Sequence, residues 1–358
     1  MTVSHSSQSP LERRFSRTVS LTFVTCSVLY LLAFLADYES NIIIFLANVF
    51  APLILLLTTG ASLAAEFVAR LRGRRPLLRE RAVRAALIIS ALIPTIVGDV
   101  RGHVIHETGA IPSPQTILTV LDANLLGPVD VSTGFYSEVE RLRPDIITLQ
   151  ELNPTVAAQL SQRLGSEYVC QELEAKPGVF GMGVFSKFPC VKRDSSRFME
   201  GIGTPQIVDV RLPNQKTIGV INIHSIPPHW LVKHTPDDNE VQQLSNAVVE
   251  REVFVTKIIE ASRTVSTDAV ILAGDFNATV RNRVYRIVRQ MGLLDSFAVG
   301  SRFRGGTWPG PDFPLPSWLV RIDFIFHCAG LTSLHAETLP EGYGSDHRGV
   351  FAQLALTR

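Results

Sequence analysis

The chain has 358 residues, more than one ordinary domain needs, and its net charge of +1 provides no global basic field for gripping nucleic acid. Hydrophobic residues reach 46% against 19% charged, an apolar balance for a soluble protein. The excess sits in the first hundred residues, and past residue 110 the composition is that of a globular domain with a substantial core.

Three apolar segments open the chain: Val19–Ala36, Ile42–Ala65 and the shorter Ala85–Gly98, which contains Pro94. A spanning helix needs about 20 apolar residues, within a range of roughly 17–25. The first two segments meet that length. The third does so, as a helix over about 83–100, only if Arg84 and Asp99 snorkel to the interface. A cleaved signal peptide is the alternative for the first segment, given its basic start at Arg13, Arg14 and Arg17. It lacks an obvious small-residue cleavage site, and the second segment follows almost at once. Residues 1–100 are therefore expected to be a membrane anchor of three hydrophobic helices.

Orientation follows from the arginines. Basic residues precede the first segment, and Arg70, Arg72, Arg74, Arg75, Arg79 and Arg81 fill the loop between the second and third. The first loop carries Asp37 and Glu39. Positive charge stays cytoplasmic, so three crossings deliver the rest of the chain to the extracytoplasmic side. Without the third crossing, the remainder stays in the cytoplasm. Residues 101–114 read as a linker ending in Pro-Ser-Pro; His103, His106 and Glu107 lack metalloprotease spacing.

From Gln115 the pattern alternates. Strands are expected at Thr116–Leu121, Asp145–Leu149, Gly178–Phe185, Gln206–Leu212, Thr217–Ile223, Ala269–Ala273, Arg321–His327, Ser333–Thr338 and Val350–Leu354. Helices are expected at Gly134–Leu142, Thr155–Leu164 and about Asn239–Ala261, with one more after Asn277. Such an order argues for two sheets packed face to face with helices outside. Of the four cysteines, Cys26 lies in an apolar run and Cys170, Cys190 and Cys328 lie in the later domain. No C-x-x-C pair suggests zinc. Either Cys170 and Cys190 form a disulfide, or three thiols are buried and free.

Polar residues recur where the buried strands end. Asn124, Glu151, His224, Asp275 with Asn277, and the Asp346-His347 pair occupy such ends, and Asp323 lies in a late apolar strand. Glu151 and Asp346 are oxygen ligands of the kind magnesium prefers. Asp275, braced by Asn277, suits the orienting and deprotonation of a water. Protonated His224 and His347 suit the charge that develops on phosphorus and on the leaving oxygen. Singly, each motif also reads as a turn or a cap. Asp323 resists that reading, because a lone buried carboxylate is costly unless paired.

Taken in order, Asp122-Ala123-Asn124, Leu149-Gln150-Glu151, His224-Ser225-Ile226-Pro227-Pro228, Gly274-Asp275-Phe276-Asn277-Ala278, Arg321-Ile322-Asp323-Phe324-Ile325 and Ser345-Asp346-His347 resemble the motifs of the endonuclease/exonuclease/phosphatase superfamily. The resemblance covers residues 115–358. It is nearest to bacterial membrane-anchored members with a Gly-Thr-Trp-Pro stretch, here Gly306-Thr307-Trp308-Pro309. It implies a four-layer αββα sandwich of the DNase I type. It further implies Mg2+ or Mn2+ held near Asn124, Glu151 and Asp346. Asp275 and Asn277 would activate water, His224 would act as general acid, and Asp323 would orient His347 on the scissile phosphate.

The expected activity is metal-dependent hydrolysis of phosphodiesters, nuclease-type. A lipid phosphodiesterase or phosphatase is the alternative, and a non-catalytic phosphate-binding module is disfavoured by the complete motif set. The substrate is a phosphate ester, nucleic acid or phospholipid, and the bilayer is the only other partner expected. Arg281, Arg283 and Arg286 read as a solvated helix face, while Arg302, Arg304 and Arg321 lie near the late motifs. Trp230, Trp308 and Trp318 suit base stacking, a lipid surface or the core.

Overall fold

A computed structural model describes residues 10–36, 38–73, 78–102, 116–126, 132–198, 202–227, 240–263, 267–297, 305–311 and 320–356. Asp37, Arg74, Arg75, His103, His106, Glu107, Pro228, Trp230, Arg302, Arg304 and Trp318 lie outside them.

Past residue 115 the chain forms two six-stranded sheets. Strands β1 (Thr116–Asn124), β2 (Ile146–Gln150), β3 (Cys170–Glu174), β4 (Met182–Ser186), β11 (Leu331–Thr338) and β12 (Val350–Leu356) build the first, in the order β11-β12-β1-β2-β4-β3. Strands β5 (Cys190–Arg193), β6 (Gln206–Arg211), β7 (Thr217–His224), β8 (Ala269–Asp275), β9 (Leu294–Asp295) and β10 (Asp323–His327) build the second, in the order β5-β6-β7-β8-β10-β9. Each sheet has one central parallel pair, β1 with β2 and β7 with β8. Successive side chains on a strand face opposite ways, so a strand covered on both faces must be apolar at both parities. In β1, Val120 joins the core between the sheets, and Leu121 joins the core under α4 (Thr133–Leu142) and α5 (Pro154–Leu164). Helices α6 (Glu240–Arg263) and α7 (Arg283–Gln290) cover the far face of the second sheet through Phe254, Ile258, Val284 and Tyr285. The result is the four-layer αββα sandwich.

The N-terminal third forms three helices: α1 (Pro10–Leu35), α2 (Ile42–Leu71) and α3 (Leu78–Gly102). Both α1 and α2 pack on α3, which runs through Pro94 and two residues into the expected linker. Among the described residues, α2 alone is long and apolar enough to cross a membrane, and Leu21–Leu35 is a shorter apolar stretch. The first turns of α2 depart from the picture of a free anchor. Ile42, Phe45 and Val49 are buried in one core with α6, α7 and the second sheet.

Residues of the later domain hold α2 there. Pro52 has no N–H, so the Asn48 carbonyl one turn earlier loses its helical donor. The Arg281 guanidinium takes that place, with Nε donating to Asn48 O at 2.8 Å and Nη2 to Val49 O at 3.1 Å. Glu39, in the α1–α2 connection, is buried and accepts from Asn48 Nδ2, from Asn282 Nδ2 and from the Arg283 N–H at the start of α7. Arg251 of α6 lies 4.5 Å from the Phe45 ring centroid and donates to Ile226 O.

Several expectations need correction. Arg281 and Arg286 are buried rather than solvated, because they serve this docking interface and the turn before α7. The stretch Gly178–Phe185 splits into a short 3-10 turn, Gly178–Phe180, and β4, because Gly178 takes a left-handed φ of 71°. Of the two states expected for the later cysteines, the disulfide is the one formed: it joins Cys170 and Cys190, tying β3 of one sheet to β5 of the other, and Cys26 and Cys328 are free.

Candidate active site

The polar residues named from the sequence gather at one edge of the sandwich because the parallel strands end there. Asn124 and Gln150 are register partners at the ends of β1 and β2. His224 pairs with Asp275 at the ends of β7 and β8, and Asp323 faces Asp275 across the start of β10. Glu151, just past β2, has φ 53°, and Asn277 has φ 47°, the left-handed region that side-chain-bearing residues avoid. Strain of this kind persists where surroundings enforce it, and it concentrates at functional sites. Gly274, at φ 140°, has no alternative: a Cβ there would lie 2.0 Å from Ile223 O on the neighbouring strand.

Asp275 Oδ2 is the hub. It accepts from Asn124 Nδ2 at 3.2 Å and from Asn277 Nδ2 at 3.1 Å. His224 Nε2 lies 3.5 Å away and His347 Nε2 3.9 Å away. The second oxygen, Oδ1, accepts the Asn277 N–H at 2.8 Å. Glu151 Oε1 accepts from Asn124 Nδ2 at 3.1 Å and lies 3.9 Å from His224 Nε2. His347 Nδ1 meets both Asp323 oxygens, at 3.1 and 3.0 Å. All eight residues expected in the site are thus brought together: Asp346, which accepts the Trp308 indole N–H at 3.1 Å, lines the same cavity as Glu151, His224, Asp275 and His347.

Burial sets the electrostatics. Desolvation, then the charge of Asp323, raises the Asp275 carboxyl to about 8. Burial, then His347, lowers His224 to about 3 and keeps it neutral. Burial would lower His347 too, but Asp323 and Asp275 outweigh it and raise it to about 10. Glu151, Asp275 and Asp323 are thus buried acids crowded at one strand edge, an arrangement that is costly without a further positive charge. Their all-oxygen character fits a hard divalent ion. Glu151 and Asp346 both line the cavity, and Asp275, Asp323 and His347 bring ligand atoms within 4.8 Å of one another. Asn124 turns its amide nitrogen to the carboxylates, while its oxygen accepts the Leu126 N–H at 3.1 Å.

Several supporting residues had no role assigned from the sequence. Ser345 Oγ donates to Asn124 O and accepts from His347 N, linking the two sides of the site. Thr307 Oγ1 accepts the Ile322 and Asp323 N–H groups. Beneath the cluster, Gln150 Nε2 bridges Asp122 Oδ1 at 2.9 Å and Asn222 Oδ1 at 2.7 Å, joining the two sheets. A polar residue at an inward position of an apolar strand was the available signal, present in Asp122 and Asn222.

The sequence profile described as the Endonuclease/Exonuclease/phosphatase family matches residues 122–347. No curated protein matches the chain. Among solved structures, truncated Caenorhabditis elegans TDP2 aligns with TM-score 0.50 at 15% identity, over 68% of this chain and 100% of that one. An endonuclease/exonuclease/phosphatase from Beutenbergia cavernae aligns with TM-score 0.48 at 17% identity, over 68% and 72%. The 3' phosphatase NExo from Neisseria aligns with TM-score 0.45 at 17% identity, over 66% and 98%.

Proposed function

The chain belongs to the endonuclease/exonuclease/phosphatase family, and from that premise we propose that it is a membrane-tethered, magnesium- or manganese-dependent hydrolase of phosphodiesters. One observation carries the chemistry: a single carboxylate oxygen, Asp275 Oδ2, stands within hydrogen-bonding or ion-pairing reach of Asn124, Asn277, His224 and His347. Members of this family are typically divalent-metal dependent.

In its ionised form Asp275 orients the attacking water and accepts its proton; with the carboxyl raised to about 8, this base gains population as pH rises toward that value. Asn277 and Asn124 fix that carboxylate by donating to it. His347, held as an imidazolium by Asp323, presents positive charge to the phosphate oxygens. His224 is neutral here, so it donates a hydrogen bond from Nε2 rather than a full proton. The metal, when bound at Glu151 and Asp346, supplies Lewis-acid stabilisation of the phosphate charge. Replacing Asp275 by Asn should lower kcat by roughly 10²–10⁴-fold with the fold intact by circular dichroism. Near-normal turnover in that variant sinks the mechanism.

The tether is supported by α2, by the expected three-helix anchor over residues 1–100 and by the arginines at the far end of α2. We place the catalytic domain, residues 115–358, on the extracytoplasmic side. The Cys170–Cys190 disulfide supports that side, since disulfides persist in oxidising compartments.

A further inference from the structure

The catalytic cluster opens into a cavity of about 520 Å³, and one wall of it is not made by the catalytic domain. Ile42, Phe45, Leu46, Val49 and Phe50 of α2 line it, facing Glu151, His224, Asp275 and His347. The wall is fixed in place, because Phe45 and Val49 are buried in the docked interface and Arg281 holds the backbone above Pro52. Leu46 is different: it is 41% exposed and lines the cavity without belonging to that core. Beyond the docked turns the apolar surface of α2 continues through Leu56, Leu57, Leu63 and Phe67, all exposed. An apolar track therefore leads from the reacting groups along the helix that is fit to enter a bilayer.

We infer that the residues of α2 determine specificity in this site, and that its substrate is a membrane lipid's phosphate ester whose hydrocarbon chain lies against α2. The inference rests on the phosphoesterase reading above and names its substrate class. The water oxygen bonds to phosphorus as the ester P–O bond of a lipid phosphodiester breaks; one water proton stays with the new phosphomonoester, and the other passes from Asp275 through solvent to the departing oxygen, giving an alcohol and restoring the carboxylate. Charge favours a lipid over a nucleic-acid strand. Among the described residues no lysine or arginine lines the cavity. Among the described residues, Arg281 is engaged with α2, and Arg321 with Asp295 at 3.0 Å. A polynucleotide backbone needs such cations along its path.

The test uses the full chain in nanodiscs with Mg2+ and two separate readouts. Hydrolysis of methyl p-nitrophenyl phosphate, which has no chain, reports on the phosphoesterase reading alone. Binding of n-alkyl phosphates from methyl to octyl, measured calorimetrically, reports on the wall. Affinity should rise about three- to fourfold for each added methylene. Leu46→Gln should flatten that rise, Leu46→Trp should bring the plateau at shorter chains, and Val191→Gln, on remote β5, should change nothing. Three results overturn the inference: affinity independent of chain length, a rise that both Leu46 variants leave intact, or a short single-stranded oligonucleotide that binds more tightly than octyl phosphate. Failure of the methyl ester to react sinks the hydrolase reading, while the binding series still decides the wall.

Discussion

Asp122 lies one layer below the reacting groups, fully buried in β1. Its Oδ1 accepts from Thr148 Oγ1 at 2.6 Å and from Gln150 Nε2 at 2.9 Å, while Oδ2 is buried with no hydrogen-bond partner. Burial, then the charge of Asp323, pushes this carboxyl well above its usual range, which disfavours the anion. A neutral isostere should therefore be tolerated. Asp122→Asn should leave the thermal midpoint nearly unchanged. Asp122→Ala should cost about 1–3 kcal/mol, because two buried donors lose their acceptor. Equal destabilisation by both variants in thermal melts would show that Asp122 is needed as an anion.

At the scale of elements, the docking of α2 makes two claims. The first is that Arg281 substitutes for the donor that Pro52 lacks. Arg281→Met should release the first turns of α2, raising amide exchange there by an amount equivalent to about 1.5–3 kcal/mol. The loss should shrink in a Pro52→Ala background, where the Asn48 carbonyl regains a helical partner; an additive double-mutant cycle would refute the substitution. The second concerns Glu39. Burial, countered by the Arg283 N–H, Asn48 and Asn282, raises its carboxyl from 4.5 to about 7, with Arg281, Arg286 and Arg251 nearby. A raised folded-state pKa means that its contribution is complete below about pH 4.5 and lost as pH rises through 7. Docking should weaken by about 3 kcal/mol across that window. Glu39→Gln should flatten the dependence in hydrogen exchange measured from pH 5 to 8, and an unchanged slope would place the titrating group elsewhere. Legibility from sequence followed burial. Strands covered on both faces, such as β1, β2 and β8, announced themselves as apolar runs. The edge strands β3 and β5 are half-exposed and of mixed polarity, with Gln171 and Glu172 in β3 and Lys192 in β5, so no periodic signal marked them. The site residues were legible because strand ends carry the chemistry. The seat of α2 was not, since an apolar helix looks the same whether lipid or protein covers it.

For the whole molecule, lengths are consistent with the tether. Helix α2 has 30 residues, of which roughly the first ten are docked. At about 1.5 Å per residue, the rest reaches about 30 Å, the thickness of a bilayer's hydrocarbon core. The Cys170–Cys190 bridge, with a sequence separation of 20, joins the two sheets at their edges. Closing a loop of that size stabilises by about 3 kcal/mol. Protein taken directly from cells should resist maleimide at these two cysteines until reduced, and reduction should lower the thermal midpoint. Immediate labelling of both would place the domain in a reducing compartment and overturn the assigned side. The seating of α2 also bears on where the chain can be divided. The linker after α3 invites a cut that would free the catalytic domain for study in solution. Such a fragment would lose Ile42, Phe45 and Val49 from the core they share with α6, α7 and the second sheet, and it would leave the cavity open along one side. The boundary of the working unit lies inside α2.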